Sequence, residues 1–319
     1  MSDIAAVIIG RNEGERLVRG LAALQGKAAP IVYVDSNSSD GSVANARAVG
    51  AEVVTLDLSK PFTAARARNA GLARLAEIAP GGDYVQILDG DTELRDGWLE
   101  AGRAALDAAP DLAVVFGRRR ERFPEASIWN RLADAEWDGP PGEVLACGGD
   151  ALFRRAALDA VGGYRESMIA GEEPELCQRF RRKGWRIERL AAEMTWHDAG
   201  MTRIGQWWKR AERGGHAYAE DAAIHGRGPD RFRVAETRRA LIWGAGIPLV
   251  AILGVLFLSP WALLVLLAWP FQVIRLRLRG LDWTEAFFLT FGKLPEAKGV
   301  LSYWWNRARG RRRKLIEYK

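Results

Sequence analysis

The chain has 319 residues, 48% of them apolar, which allows one large domain or one domain with an appendage and excludes wholesale disorder. Its formal net charge of +6 is not a general basic bias, because residues 275–319 alone hold twelve Lys/Arg against four Asp/Glu and the remainder is slightly acidic. Two cysteines, Cys147 and Cys177, are too few for a disulfide framework, and residues 2–10 read as a strand rather than a cleavable leader, which predicts a reducing cytoplasm around the N-terminal domain.

In chain order, β-branched runs at 4–9, 31–34, 53–56, 84–88 and 112–116 alternate with amphipathic stretches at 13–24, 42–49, 63–78 and 96–108. This alternation predicts an α/β domain of the nucleotide-binding type over residues 1–225, with a mostly parallel central sheet. The first turn, Gly10-Arg11-Asn12-Glu13-Gly14, lacks the G-x-G-x-x-G spacing of a dinucleotide site, which disfavours a nicotinamide dehydrogenase.

Asp35 ends the second strand, where a carboxylate can accept hydrogen bonds from a base or ribose. The segment that follows also reads as a polar loop, with Asp40 or Ser42 capping the next helix. After the strand at 84–88 comes Asp89-Gly90-Asp91, two carboxylates at the carboxyl edge of the sheet, where ligands of open α/β folds bind. Two such groups around a glycine suit a hard divalent cation bridging diphosphate oxygens; the same three residues also make an ordinary acidic turn.

Residues 241–274 contain no charge. As one helix they would extend about 50 Å, against a hydrocarbon core of about 30 Å. Pro248, Pro260 and Pro270 interrupt the run, so residues 226–280 are expected to form a membrane helical hairpin of two short spans or a re-entrant pair, the competing reading being a buried hairpin of a soluble protein. Arg238 and Arg239 before it and Arg275, Arg277 and Arg279 after it favour both ends facing the cytoplasm. Residues 281–319 mix aromatic side chains with Lys and Arg, as an amphipathic basic segment lying on anionic lipid would, or as a solvated basic tail.

Six strings in series, "VIIGRNEGERL", "VYVDSNSSDGS", "ARARNAGL", "ILDGDTEL", "CGGDALFRRAALDAVGGY" and "GEEPELCQRFRRKGW", resemble the inverting family 2 glycosyltransferases of the GT-A fold, membrane-anchored bacterial type, from residue 4 to about residue 197. The resemblance implies that Asp35 and Asp89 contact the nucleoside, Arg68 steadies the nucleotide, Asp91 ligates Mn²⁺ or Mg²⁺, and Gly149 and Asp150 line the donor and acceptor loop. Where the family carries Glu-Asp, this chain has Glu172-Glu173; the second acid is expected to be the general base, which assigns that role to Glu173, with Glu172 and Glu175 as alternatives. His197 is expected to complete the metal site, a structural imidazole being the bland alternative. The Q-x-x-R-W spacing of processive synthases is missing after Gln206, which argues for one sugar per encounter.

The expected activity is therefore metal-dependent transfer of a sugar, with inversion, from a UDP- or GDP-sugar to a lipid or lipid-linked acceptor. It would occur at the cytoplasmic membrane, with the catalytic domain facing the cytoplasm and without a nucleic-acid partner. The alternatives are a sugar nucleotidyltransferase and a nucleotide-sugar-binding membrane adaptor without turnover.

Overall fold

A computed structural model of the chain describes residues 4–57 and 59–311. They form two compact units, one of residues 4–168 with 172–200 and one of residues 169–171 with 201–311.

The first unit is built on a sheet of order β3-β2-β1-β4-β8-β6-β9-β5, with β7 against β9. The strands are β1 (Ile4–Gly10), β2 (Ile31–Asp35), β3 (Glu52–Thr55), β4 (Tyr84–Asp89), β5 (Thr92–Leu94), β6 (Leu112–Glu121), β7 (Gly142–Glu143), β8 (Ala151–Arg154) and β9 (Arg186–His197). Helices α1 (Glu15–Leu24), α2 (Ser42–Ala48), α3 (Ala64–Ile78), α4 (Trp98–Ala108), α5 (Ile128–Glu136), α6 (Arg155–Val161) and α7 (Glu172–Arg182) complete it. In β1, Ala5, Val7 and Ile9 join one buried cluster while Ile4, Ala6 and Ile8 join another. Both faces of this strand are covered, which is why it reads as a continuous apolar run.

The parallel order expected for the sheet holds for β3-β2-β1-β4. It is interrupted at β8, which runs antiparallel to both β4 and β6, and returns between β6 and β9. The short strands β5, β7 and β8 carry too few residues to show a period, and each is a strand through its pairing with a distant partner. Antiparallel pairing has a positional effect: with Ile87 opposite Ala151, the segment entering β8 lies beside the carboxyl end of β4.

The second unit comprises α8 (Ile204–His225), α9 (Val234–Leu241), α10 (Ile247–Phe257), α11 (Ala268–Leu278), α12 (Trp283–Phe291) and α13 (Lys293–Ala308). A π-helical turn at Ile242–Gly246 joins α9 to α10, and a 3₁₀ stretch at Pro260–Leu267 leads into α11. Two continuous helices result, Val234–Phe257 and Pro260–Leu278, each long and apolar enough to cross a membrane and 17% and 0% buried over their most apolar windows. The hairpin expectation matches this pair: Ser259 accepts from the Trp261 N–H at the break, and a Cβ on Gly254 would lie 2.4 Å from that of Ala262, so the legs pack closely at the turn.

The domain boundary expected at residue 225 lies instead near residue 200, because α8 packs within the second unit. A Cβ on Gly215 would stand 2.0 Å from the Glu296 carbonyl, and one on Gly299 would stand 2.1 Å from the Glu212 carbonyl. Glycine at both positions lets α8 and α13 meet backbone to backbone. The separate tail expected from residue 281 is, as far as residue 308, part of this helical unit. Its basic run at 311–314 lies outside the described residues from 312 onward.

Candidate active site

The carboxyl edges of β1, β2 and β4 are in register, Gly10 opposite Asp35 and Ile9 opposite Asp89. Their loops clasp one another. Asn12 donates from its backbone to Ser38 and accepts from the Ser39 N–H, and Asp40 accepts from the Gly14 and Ser42 N–H groups. Asp40 therefore ties two loops together as well as serving the start of α2, whose N-cap position is Gly41. Asp35 is buried and turns back on its own loop, accepting from Asn37 N, Ser38 N and the Tyr33 hydroxyl. Gly90 owes its place to the neighbouring strand: its N–H donates to the Ile9 carbonyl, and a Cβ would meet Glu13 at 2.8 Å and the Gly10 Cα at 3.2 Å.

Register also builds the acidic cluster. β5 pairs with β9 so that Thr92 faces His197, and the Asp198 N–H donates to the Asp91 carbonyl. This brings His197 Nε2 to 3.4 Å from Asp91 Oδ1, with both side chains about 7% exposed. One ligand atom each from Asp89, Asp91 and His197 lies within 4.8 Å of the others. The expected metal set thus converges from positions more than a hundred residues apart in the chain.

Arg68 holds the other side. Thr63 caps α3 by accepting from the Arg66 N–H, and Gly71 lets the helix settle on Val7, to which a Cβ would approach within 2.4 Å. That close approach sinks Arg68, which is 2% exposed rather than a solvated helix charge. Its Nη2 donates to Asp89 at 2.9 Å, and its Nη1 lies 2.8 Å from Glu172 and 2.9 Å from Glu173. Three carboxylates surround one cation. Burial pushes the Glu173 carboxyl up to about 7, with the Glu172 charge adding to the rise, Arg68 opposing it and Asp89 adding again. Glu172 is more buried than Glu173 and faces Arg68, while Glu175 is fully buried between Arg165 and Arg179. The arginine buttress of the acidic pair therefore comes from α3, and Arg179 serves Glu175.

Gly149 sits where these groups meet: a Cβ there would stand 2.8 Å from Arg68 Nη2, 2.8 Å from Asp89 Oδ2 and 3.3 Å from Glu173 Oε1. Asp150 lies beneath this point, 0% exposed, accepting from the Asp89 N–H at 3.0 Å and the Thr195 hydroxyl at 3.2 Å, and pairing with Arg119 at 2.9 Å. Burial raises its proton affinity while Arg119 works against that. Asp150 supports the loop from below; Gly149 faces the carboxylates.

Four neighbours escaped sequence reasoning. Arg119 stacks over Trp137 at 5.3 Å, and Trp137 meets the His197 ring edge-on at 4.7 Å. Asn69 holds Tyr164 by both its N–H and its carbonyl, and the Tyr164 ring lies under Arg68 at 5.4 Å. Arg119 was findable: in Arg118-Arg119-Arg120 the two-residue period of a strand sends the outer pair to Asp134 and the middle one to the other face. Trp137, Asn69 and Tyr164 carry no such local signal.

Residues 6–162 match the family model described as Glycosyl transferase family 2. The N-terminal domain belongs to glycosyltransferase family 2. The Pre-mycofactocin glycosyltransferase of Mycobacterium tuberculosis (strain ATCC 25618 / H37Rv) is 29% identical to the chain over 248 residues, covering 72% of this chain and 49% of that protein. Succinoglycan biosynthesis protein ExoA of Rhizobium meliloti (strain 1021) is 30% identical over 171 residues, 50% of this chain and 51% of that protein. The chain thus spans about half the length of these curated relatives. Among solved structures, a mannosyltransferase from Pyrobaculum calidifontis in complex with GDP-Man and Mn²⁺ superposes with a TM-score of 0.64 at 18% identity, covering 96% of this chain and 88% of that one. The fold of the family 2 domain is GT-A. Because the family match ends at residue 162, α7 with Glu173 and β9 with His197 lie beyond it and reach the site through packing and strand register.

Proposed function

We propose that the chain is an inverting, metal-dependent glycosyltransferase that moves a sugar from a nucleotide-sugar to a lipid or lipid-linked acceptor at the cytoplasmic face of a membrane. The observation that carries this reading is the meeting of two groups within the family 2 fold, the Asp89, Asp91 and His197 cluster and the Glu173 carboxylate, linked through Arg68 on Asp89.

The donor set fits the implied metal: two carboxylates and a buried imidazole suit Mn²⁺, and Mg²⁺ through the carboxylates. When bound, such an ion would offset the charge that develops on the departing diphosphate. Asp35 and Asp89, on either side of β1 at the sheet edge, would receive the nucleoside. Glu173 would take the proton of the acceptor hydroxyl as that oxygen attacks the anomeric carbon from the side opposite the leaving group, a single displacement that inverts the centre. A carboxyl with its pKa near 7 is matched to this task at neutral pH. Arg68 would hold Glu173 and Asp89 in a fixed relation, and Gly149 would leave room for the sugar between them. Two exposed apolar helices flanked by arginines support a membrane-bound acceptor and a cytoplasmic catalytic side.

The test is thermal stabilisation of the detergent-solubilised protein by UDP-, GDP- and dTDP-sugars with and without Mn²⁺. A metal-dependent rise in Tm with one nucleotide class supports the reading and names the donor base. No rise with any sugar overturns it.

A further inference from the structure

Within the helical unit, the π-helical turn and α13 enclose an open groove of about 780 Å³, inside the range of about 300 to 1,000 Å³ typical of small-molecule clefts. Gly244 and Ala245 contribute one side; Leu301 and Trp305 contribute apolar surface from α13, where Lys298 and Ser302 are the polar lining residues. The groove exists because Gly244 brings the helices into backbone contact, its Cβ position being 1.8 Å from the Lys293 carbonyl. Leu301 and Trp305 remain 52% and 59% exposed, so their apolar surface is left uncovered.

The charge that α13 brings to this groove after Glu296 is basic. After Glu296, the sequence to residue 311 carries Lys298, Arg307, Arg309 and Arg311 and no acidic residue. Lys298 pairs with buried Glu212 at 2.8 Å yet keeps 61% of its side chain exposed, and the Arg309 guanidinium lies 3.8 Å over the Trp305 ring. The helix that supplies Gly244 and Ala245 is the one that continues as the first apolar candidate span. An apolar trough with a cationic rim, continuous with a lipid-compatible helix, is complementary to a molecule with a hydrocarbon chain and an anionic head.

We infer that this groove seats an acyl chain of an anionic phospholipid, with the lipid phosphate at Lys298 and Ser302. The site is a structural lipid site at the membrane interface. It rests on the membrane placement of the two apolar helices and is independent of the catalytic reading.

The experiment titrates the full-length protein in detergent with phosphatidylglycerol and, separately, phosphatidylcholine of the same chains, counting retained lipid by native mass spectrometry. The wild type retains phosphatidylglycerol in preference. Lys298→Gln reduces that preference by about fivefold, the effect of one interfacial cation, and Ala245→Leu, which fills the groove, lowers retention of both lipids. Equal retention of the two lipids by the wild type overturns the assignment, as does unchanged retention in a folded Ala245→Leu protein. Should Ala245→Leu fail to fold, the wild-type comparison and Lys298→Gln still decide. Flotation with phosphatidylcholine vesicles checks the membrane placement separately: failure to float removes that placement and the lipid site with it.

Discussion

The guanidinium of Arg68, on a helix packed against the parallel strands, lies 2.9 Å from the carboxylate of Glu173 in the first turn of α7. The same guanidinium holds Asp89 and Glu172, so one buried cation organises the acidic residues on both sides of Gly149. Removing it leaves buried carboxylates without a counter-charge. Arg68→Met is expected to destabilise the domain by about 3 to 5 kcal/mol, the usual cost of breaking a buried ion pair from one side. Urea unfolding measures this; a loss below 1 kcal/mol would mean that the network is no stronger than a surface pair.

Glu173→Gln keeps the shape of the side chain and removes the basic oxygen. Transfer is expected to fall by about 10² to 10⁴, the contribution of a general base, while the donor-dependent rise in Tm persists. Turnover within tenfold of wild type would move the base to another residue, with Glu172 next in line.

The pH profile follows from the sign of the same shift. Glu173 is raised to about 7, and a base works only when deprotonated, so the rate should climb as pH rises through about 7 and drop below it. Glu173→Gln should flatten that limb in its residual activity. An acid limb that persists in the variant would belong to a different group.

Asp91→Ala should abolish the Mn²⁺-dependent part of the donor-induced rise in Tm and leave metal-free unfolding close to wild type. His197→Gln should raise the Mn²⁺ concentration needed by at least about tenfold, the range found even for residues that only support a ligand. Wild-type Mn²⁺ dependence in both variants would remove the metal role from this cluster.

Gly149→Ala places a methyl group 2.8 Å from Arg68 and Asp89. The expected result is a large loss of transfer, since the added methyl must push Arg68 or Asp89 aside and the carboxylates lose their spacing. Full activity in this variant would show that the space at Gly149 is not used by substrate.

The sequence by itself determined the α/β class, the order of the longer strands and helices through residue 116, and the positions of Asp35, Asp89 and Asp91, because each follows a strand whose apolar run is long enough to read locally. It also determined the helical hairpin, since a charge-free run interrupted by prolines has few foldings. Tertiary structure decided the rest. The short strands β5, β7 and β8 exist through pairing, and the β5–β9 register brings His197 to Asp91. The burial of Arg68 depends on Gly71 and Val7 meeting across two elements, and the division of the chain near residue 200 depends on glycine contacts between α8 and α13. Local sequence records which face of an element is apolar; it does not record which partner covers that face, and at these positions the partner sets the role.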